Sequence, residues 1–162
     1  MKPAWRRAAL GACLWLAAHA ALAGDAIHAF GADSYRNIVA RHVERPLVVV
    51  VWSLDCDYCL PSFRALAEAQ RRGRLAVVAI TTDPADDTET MAAVRNKIAG
   101  TGLAAEIWAF GDAPAAQLRY AIDPKWRGEM PRSYWYDASG KMTPHSGVIT
   151  SSLIERRLGG AR

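Results

Sequence analysis

The sequence predicts a three-layer α/β sandwich whose sheet is mostly parallel, with an antiparallel edge. Three observations carry that expectation. Two apolar runs, Leu47 to Ser53 and Leu75 to Asp83, are too evenly hydrophobic for half-exposed strands and suit strands buried on both faces. Helical patterns alternate with them, which is the order a parallel sheet requires. Near the end, two short strands flank Asp137-Ala138-Ser139-Gly140, a hairpin signal in which Gly140 supplies the left-handed residue.

The elements follow in chain order. Residues 1–23 read as a signal peptide: Lys2, Arg6 and Arg7 give a positive start, Ala8 to Ala18 an apolar run, and Ala21-Leu22-Ala23 a small-x-small cleavage site before Gly24. The apolar run is short for a bilayer span. If it stays uncleaved it anchors the chain to a membrane. Arg6-Arg7 also hints at twin-arginine export, leaving the route open. A lipoprotein signal at Cys13 fits poorly, because the segment stays apolar well beyond it. Residues 24–162 form one domain, enough chain for one buried core and not for two.

Within that domain, Tyr35, Ile38 and Val39 stand at helical spacing over 33–42, with Asp33 or Ser34 as cap. The first buried strand follows Pro46. Residues 59–72 read as a helix with Phe63, Leu66 and Ala67 turned inward, closed by Arg71-Arg72-Gly73. After the second buried strand, Asp86-Asp87-Thr88-Glu89 places acids at the positive end of a helix that Gly100 stops. Residues 105–111 form a third strand and 113–122 another helix. Leu153, Ile154 and Leu158 mark a closing helix.

Charge and cysteine usage narrow the function classes. The chain has 20 Lys+Arg against 16 Asp+Glu; without the three leader cations the balance falls from +4 to +1. The basic character therefore belongs to the leader, and nucleic-acid or anionic-membrane binding loses its compositional support. Of three cysteines, Cys13 lies in the leader, which leaves Cys56 and Cys59. A bridge closing so small a loop removes little unfolded-state entropy, so reactivity explains the pair better than stabilisation. Cys56 falls just past a strand end and Cys59 in the first turn of the next helix, where unpaired N–H groups and the helix dipole favour a thiolate. Cys56, the more exposed by position, is the expected attacking sulfur, and Cys59 the resolving one.

At this point "VVVVWSLDCDYC", followed downstream by "GEMPRSYWYDASGKM", resembles the thioredoxin superfamily, and more narrowly its exported TlpA-like thiol–disulfide oxidoreductases. The resemblance covers residues 30–158. It includes an extra helix and strand, about 84–111, inserted before the hairpin. It implies a thioredoxin-like three-layer sandwich, with Trp52 as the active-site tryptophan and Pro131 as a cis-proline packed against the dithiol. Met130 would then offer backbone groups to an extended substrate segment. The resemblance further implies a disulfide exchanger without bound cofactor, acting on exported proteins that carry cysteines and fed by a membrane thiol relay. With no room for a dimerisation region, a monomer is expected.

Departures from the family pattern carry information. Asp55 and Asp57 flank Cys56, and two nearby carboxylates oppose the helix dipole. The expected thiol is therefore less acidic than in the strong oxidants of the fold, which leans the protein toward a reductant or isomerase. Tyr58 is expected to pack beside the dithiol and shape access to it. Pro61 stands three positions before the family's helix proline, a place Arg64 fills here, and should cost a helix hydrogen bond or shift the helix start. The acid that thioredoxins bury below the resolving cysteine would align near Val50, so the proton acceptor is unidentified. Trp108, Trp126 and Trp135 suit packing as well as they suit a binding surface.

Two other activities compete. Two thiolates suit Cu(I), which makes a metallochaperone of the same fold the alternative. Copper-handling relatives of the fold place a histidine in the loop where Pro131 stands, however, and His28, His42 and His145 lie away from that loop. A peroxidase is suggested by Ser53-x-x-Cys56, but Val49 occupies the proline position of that pattern.

Overall fold

A computed structural model describes residues 26–42, 45–73 and 75–159. The expected signal peptide, with its cleavage site and its anchoring alternative, lies outside the described residues. No helix among them is long and apolar enough to cross a membrane.

Six strands and five helices follow one another. They are β1 (Ile27–Phe30), α1 (Ser34–Arg41), β2 (Leu47–Trp52), α2 (Cys59–Arg72), β3 (Ala76–Pro84), α3 (Thr88–Ala99), β4 (Glu106–Phe110), α4 (Ala115–Ile122), β5 (Arg132–Tyr136), β6 (Met142–Ser146) and α5 (Ser151–Gly159). The strands form one sheet in the order β1-β4-β3-β2-β5-β6. β1, β4, β3 and β2 run parallel, and β5 pairs antiparallel with both β2 and β6, so the mixed sheet with its hairpin edge is as expected. Gly140, at φ 80°, makes the turn between β5 and β6. The inserted helix and strand are α3 and β4, and β4 lies between β1 and β3.

β1 is the element that the sequence pattern did not announce. Its four residues, "IHAF", bury fully only at Phe30 and give too short a signal on their own. The strand exists because β4 offers a parallel edge, pairing Ile27↔Ile107 through Phe30↔Phe110.

β2 is buried at every residue, which explains its unbroken apolar run. Its side chains alternate between two cores. Val48, Val50 and Trp52 pack with Phe63 and Leu66 of α2, Val94 of α3 and Leu153 of α5. Leu47, Val49 and Val51 pack with Ile38 of α1, Leu118 of α4 and Tyr134 of β5. Helices therefore cover both faces, the predicted three layers. The caps of α3 follow the sequence, Asp87 accepting the Glu89 N–H at 2.9 Å and Gly100 ending the helix, whereas Asp33 at the start of α1 makes no side-chain cap bond.

Candidate functional site

The site forms where β2 ends and α2 begins. β2 stops at Trp52, a six-residue loop follows, and α2 opens on Cys59. Two backbone hydrogen bonds tighten this loop around the first sulfur: Cys56 N–H donates to the Ser53 carbonyl and Cys59 N–H to the Cys56 carbonyl, each at 3.2 Å. Cys56 and Cys59 are joined as a disulfide, their Cα atoms 5.5 Å apart. Cys56 keeps 9% of its surface accessible and Cys59 only 1%. That ordering fits an attacking sulfur at the rim and a resolving sulfur beneath it.

α2 starts without a side-chain cap, since Tyr58 at its N-cap has none to offer. Pro61 is the third helical residue, where a backbone N–H has no helical acceptor in any case. Neither the lost hydrogen bond nor the shifted start expected of Pro61 occurs, because proline's missing donor falls within the free first turn. One turn on, Ser62 is fully buried. Its hydroxyl donates to the Tyr58 carbonyl at 3.3 Å and accepts the Ile149 N–H at 2.9 Å. It thereby ties the helix start to the segment leading into α5.

Trp52 sits elsewhere than a substrate contact requires. Strand alternation turns it to the α2 side of the sheet, where it is fully buried and packs edge-on against Phe63 with ring centroids 5.0 Å apart. It supports the dithiol from below and offers no surface to a partner. Tyr58, by contrast, is 69% exposed at the N-cap of α2, between the two cysteines in sequence. Asp55 and Asp57 are exposed beside it.

Met130 and Pro131 come from the far side of β2. The antiparallel β2–β5 ladder runs from Leu47↔Tyr136 to Val51↔Arg132. The next residues beyond that last pair are Trp52 on one strand and Pro131 on the other, so the chain entering β5 runs beside the start of the redox loop. The Met130–Pro131 peptide bond is cis. Pro131 is buried and its carbonyl accepts the Gly147 N–H at 2.9 Å. Met130, half-buried, touches both cores at the sheet's end.

The sequence reading missed the polar network that holds this proline loop. Asp123 Oδ2 accepts from Arg132 Nη2 at 2.9 Å and from the Tyr134 hydroxyl at 3.1 Å. Arg132 also reaches Glu129 Oε1 at 3.3 Å and Ser146 Oγ at 2.6 Å, and its guanidinium stands over the Tyr134 ring. Burial pushes the Asp123 carboxyl up, but the Lys125 N–H, the Arg132 guanidinium and the Tyr134 hydroxyl outweigh it and hold it below the ordinary carboxylate range. Trp126, buried, donates its Nε1–H to the Glu129 carbonyl at 2.8 Å and closes the loop. The available signal was a run of charged and aromatic residues, 123–136, around Pro124 and Pro131. Trp135 is likewise buried, whereas Trp108 is half-buried and donates its Nε1–H to Glu106.

His28 lies tilted against the Trp108 ring, His42 pairs its Nδ1 with the Ile38 carbonyl at 2.9 Å, and His145 lies on β6. Among the described residues, no group of three or more His, Cys, Asp or Glu gathers as a metal site would require. Val50, where thioredoxins carry their buried acid, is fully buried in the same apolar cluster as Cys59.

No protein-family model matches the chain, and no curated protein matches it by sequence. Solved structures do. A secreted disulfide oxidoreductase of Mycobacterium tuberculosis, homologous to E. coli DsbE, matches with a TM-score of 0.55 at 18% identity, over 75% of this chain and 85% of that one. A thiol:disulfide interchange protein of the thioredoxin family from Chlorobium tepidum matches with a TM-score of 0.54 at 18% identity, over 75% and 83%. The exposed lipoprotein thioredoxin of Streptococcus pneumoniae matches with a TM-score of 0.51 at 19% identity, over 75% and 89%. The chain has the thioredoxin-like fold, with a CxxC disulfide at the start of its second helix.

Proposed function

We propose that the protein is a thiol–disulfide oxidoreductase that acts on exported proteins through Cys56 and Cys59, more a reductant than a strong oxidant. One observation carries this reading: the two cysteines pair at the N-terminus of α2, with the more accessible sulfur first. In the reduced protein the Cys56 thiolate attacks one sulfur of a substrate disulfide. A mixed disulfide forms, the substrate S–S bond breaks, and the displaced substrate thiolate takes up a proton. The Cys59 thiolate then attacks the Cys56 sulfur. The mixed disulfide breaks, the second substrate sulfur leaves as a thiolate, and two electrons have passed to the substrate while Cys56–Cys59 is oxidised. Run backwards, the same steps oxidise a dithiol.

Exposed Tyr58, between the two cysteines in sequence, and the main chain of Met130 and Pro131, beside Trp52 at the start of the redox loop, form the surface for an extended substrate segment. The signal-peptide pattern of residues 1–23 supports an extracytoplasmic, periplasmic-type location for the domain, as do neighbours described as secreted or as an exposed lipoprotein. Outside the cytoplasm, a reductant needs an electron source. A membrane thiol relay that reduces Cys56–Cys59 fills that need, and the domain works as a monomer.

The redox potential of the Cys56–Cys59 couple tests the direction: a value near about −270 mV fits a reductant and one near about −120 mV an oxidant. Turnover of insulin disulfides should fall by about three orders of magnitude in Cys56→Ser, and Cys59→Ser should accumulate substrates linked to Cys56. Undiminished turnover in Cys56→Ser ends this reading. Tight, stoichiometric Cu(I) binding by a reduced protein that exchanges no disulfides would replace it with a metallochaperone.

A further inference from the structure

The loop that presents Cys56 is gripped at Leu54 by two side chains. The Leu54 N–H donates to Asp83 Oδ2 at 2.9 Å, and the Leu54 carbonyl accepts from Lys97 Nζ. The first contact sits where the β-ladder would have continued. β2 and β3 pair in parallel from Leu47↔Ala76 to Trp52↔Thr81, and the same spacing brings Leu54 to Asp83. There a carboxylate replaces the main-chain carbonyl that a longer strand would supply. The β3–β4 register shifts between Thr81 and Pro84, an irregularity of the kind that re-aims side chains beside functional sites. Thr81 fixes the carboxylate: its hydroxyl donates to Asp83 Oδ2 and accepts the Asp83 N–H at 3.2 Å. Lys97 arrives from α3, so the inserted unit reaches across to the redox loop.

We propose that Asp83 and Lys97 are positioning residues for disulfide exchange, and that their opposite charges set in opposite directions how readily the Cys56 thiol ionises. This rests on the dithiol reading above. A cation near a thiolate favours it and an anion disfavours it. The loop's own Asp55 and Asp57 are exposed and screened by water and salt, whereas Asp83 and Lys97 are half-buried. Other charges on neighbouring segments include Arg64 on the exposed side of α2, and Arg127 and the Glu129–Arg132 ion pair on either side of Pro131. Lys97 is thus the cation fixed to the loop's main chain, and it offsets the carboxylates around the sulfur.

Alkylation of reduced protein as a function of pH, in a Cys13→Ser, Cys59→Ser background so that one thiol is read, tests the proposal. Lys97→Met should raise the midpoint by about half a pH unit and slow alkylation at neutral pH roughly threefold. Asp83→Asn, which keeps an acceptor for the Leu54 N–H but removes the charge, should lower the midpoint by a similar amount. Lys97→Arg should restore the wild-type value. Unmoved midpoints in folded variants overturn the proposal, and so do shifts of the same sign in both, which would mean only a loosened loop. If Lys97→Met fails to fold, Lys97→Gln and Asp83→Asn decide by the same readout. A failure here leaves the exchange reading intact as long as Cys56→Ser abolishes turnover. Conversely, opposite shifts in a protein that turns over no disulfides would sink the exchange reading alone.

Discussion

The two faces of β2 differ in kind. Toward α2 the strand contributes Val48, Val50 and Trp52 to a core that also holds both cysteines, and no buried carboxylate or cation lies there among the described residues. Toward α1 and α4 it contributes Leu47, Val49 and Val51 to a core bordered by Asp123, Arg132 and the Tyr35–Tyr136 hydroxyl pair. The sulfurs therefore rest on an apolar bed, and the charges that act on them must come from the loop and its anchors. The proline loop, in contrast, is pinned by charges from the opposite face. Substitutions on the first face should change sulfur chemistry or helix docking. Those on the second should change stability and its response to pH.

The largest effect on the polar face is expected from Asp123→Ala. The Asp123 and Arg132 side chains are 14% and 12% exposed, so the pair is mostly buried. Removing the carboxylate strands the guanidinium and should cost about 3 kcal/mol in urea unfolding at pH 7. The pH dependence has a definite sign. Asp123 is held below its ordinary value in the folded state, so its contribution is complete above the unfolded carboxylate value of about 4. It is lost as pH falls through the folded value. The gap between wild type and Asp123→Ala should accordingly narrow below about pH 4. A gap constant from pH 7 to pH 3 would mean that packing, not charge, holds this corner.

How far the sequence could be read follows the same division. Leu47–Trp52 and Cys59–Arg72 were legible because each carries a local pattern, an unbroken apolar run and a helical stripe opening on a CxxC. β1 was not, since four residues with one buried member become a strand only against β4. The side-chain direction of Trp52 escaped for a related reason: it is fixed by strand alternation. Asp83 and Lys97 stand 29 and 43 positions from Leu54, and only the β2–β3 register brings the first of them to the loop. Contacts made by register and by tertiary docking leave no mark in a window of ten or fifteen residues.

Ser62→Ala probes the single polar joint described at the start of α2. Ser62 and Ile149 are 0% and 1% exposed, and the Ser62 hydroxyl is the acceptor for the Ile149 N–H. Alanine would leave that N–H buried without a partner, at a cost of about 2 kcal/mol. The Ser62 hydroxyl bonds to main-chain groups and to neither sulfur, so disulfide turnover below the melting transition should hold near the wild-type rate. A fall in turnover larger than the fall in stability would mean that the dry face transmits docking of α5 to the dithiol, and the contrast between the faces would weaken.

The smallest effect, and the finest test, lies in the Tyr35–Tyr136 pair on the other face. Their hydroxyls are 2.9 Å apart, one from α1 and one from β5. Tyr136→Phe leaves the Tyr35 hydroxyl without its partner and should cost about 1 kcal/mol, whereas the double variant with Tyr35→Phe removes both polar groups and should cost less than the two single changes added together. Burial first, and then Tyr136, pushes the Tyr35 phenol well above its ordinary value; burial also raises Tyr136. A phenol held neutral in the fold ionises first in the unfolded chain, so the protein should lose stability as pH rises above about 10, the unfolded tyrosine value. The double variant should flatten that alkaline limb while leaving the Cys56 titration where it was. Movement of the thiol midpoint in that variant would show that β2 transmits charge between its faces, against the separation its alternating side chains imply.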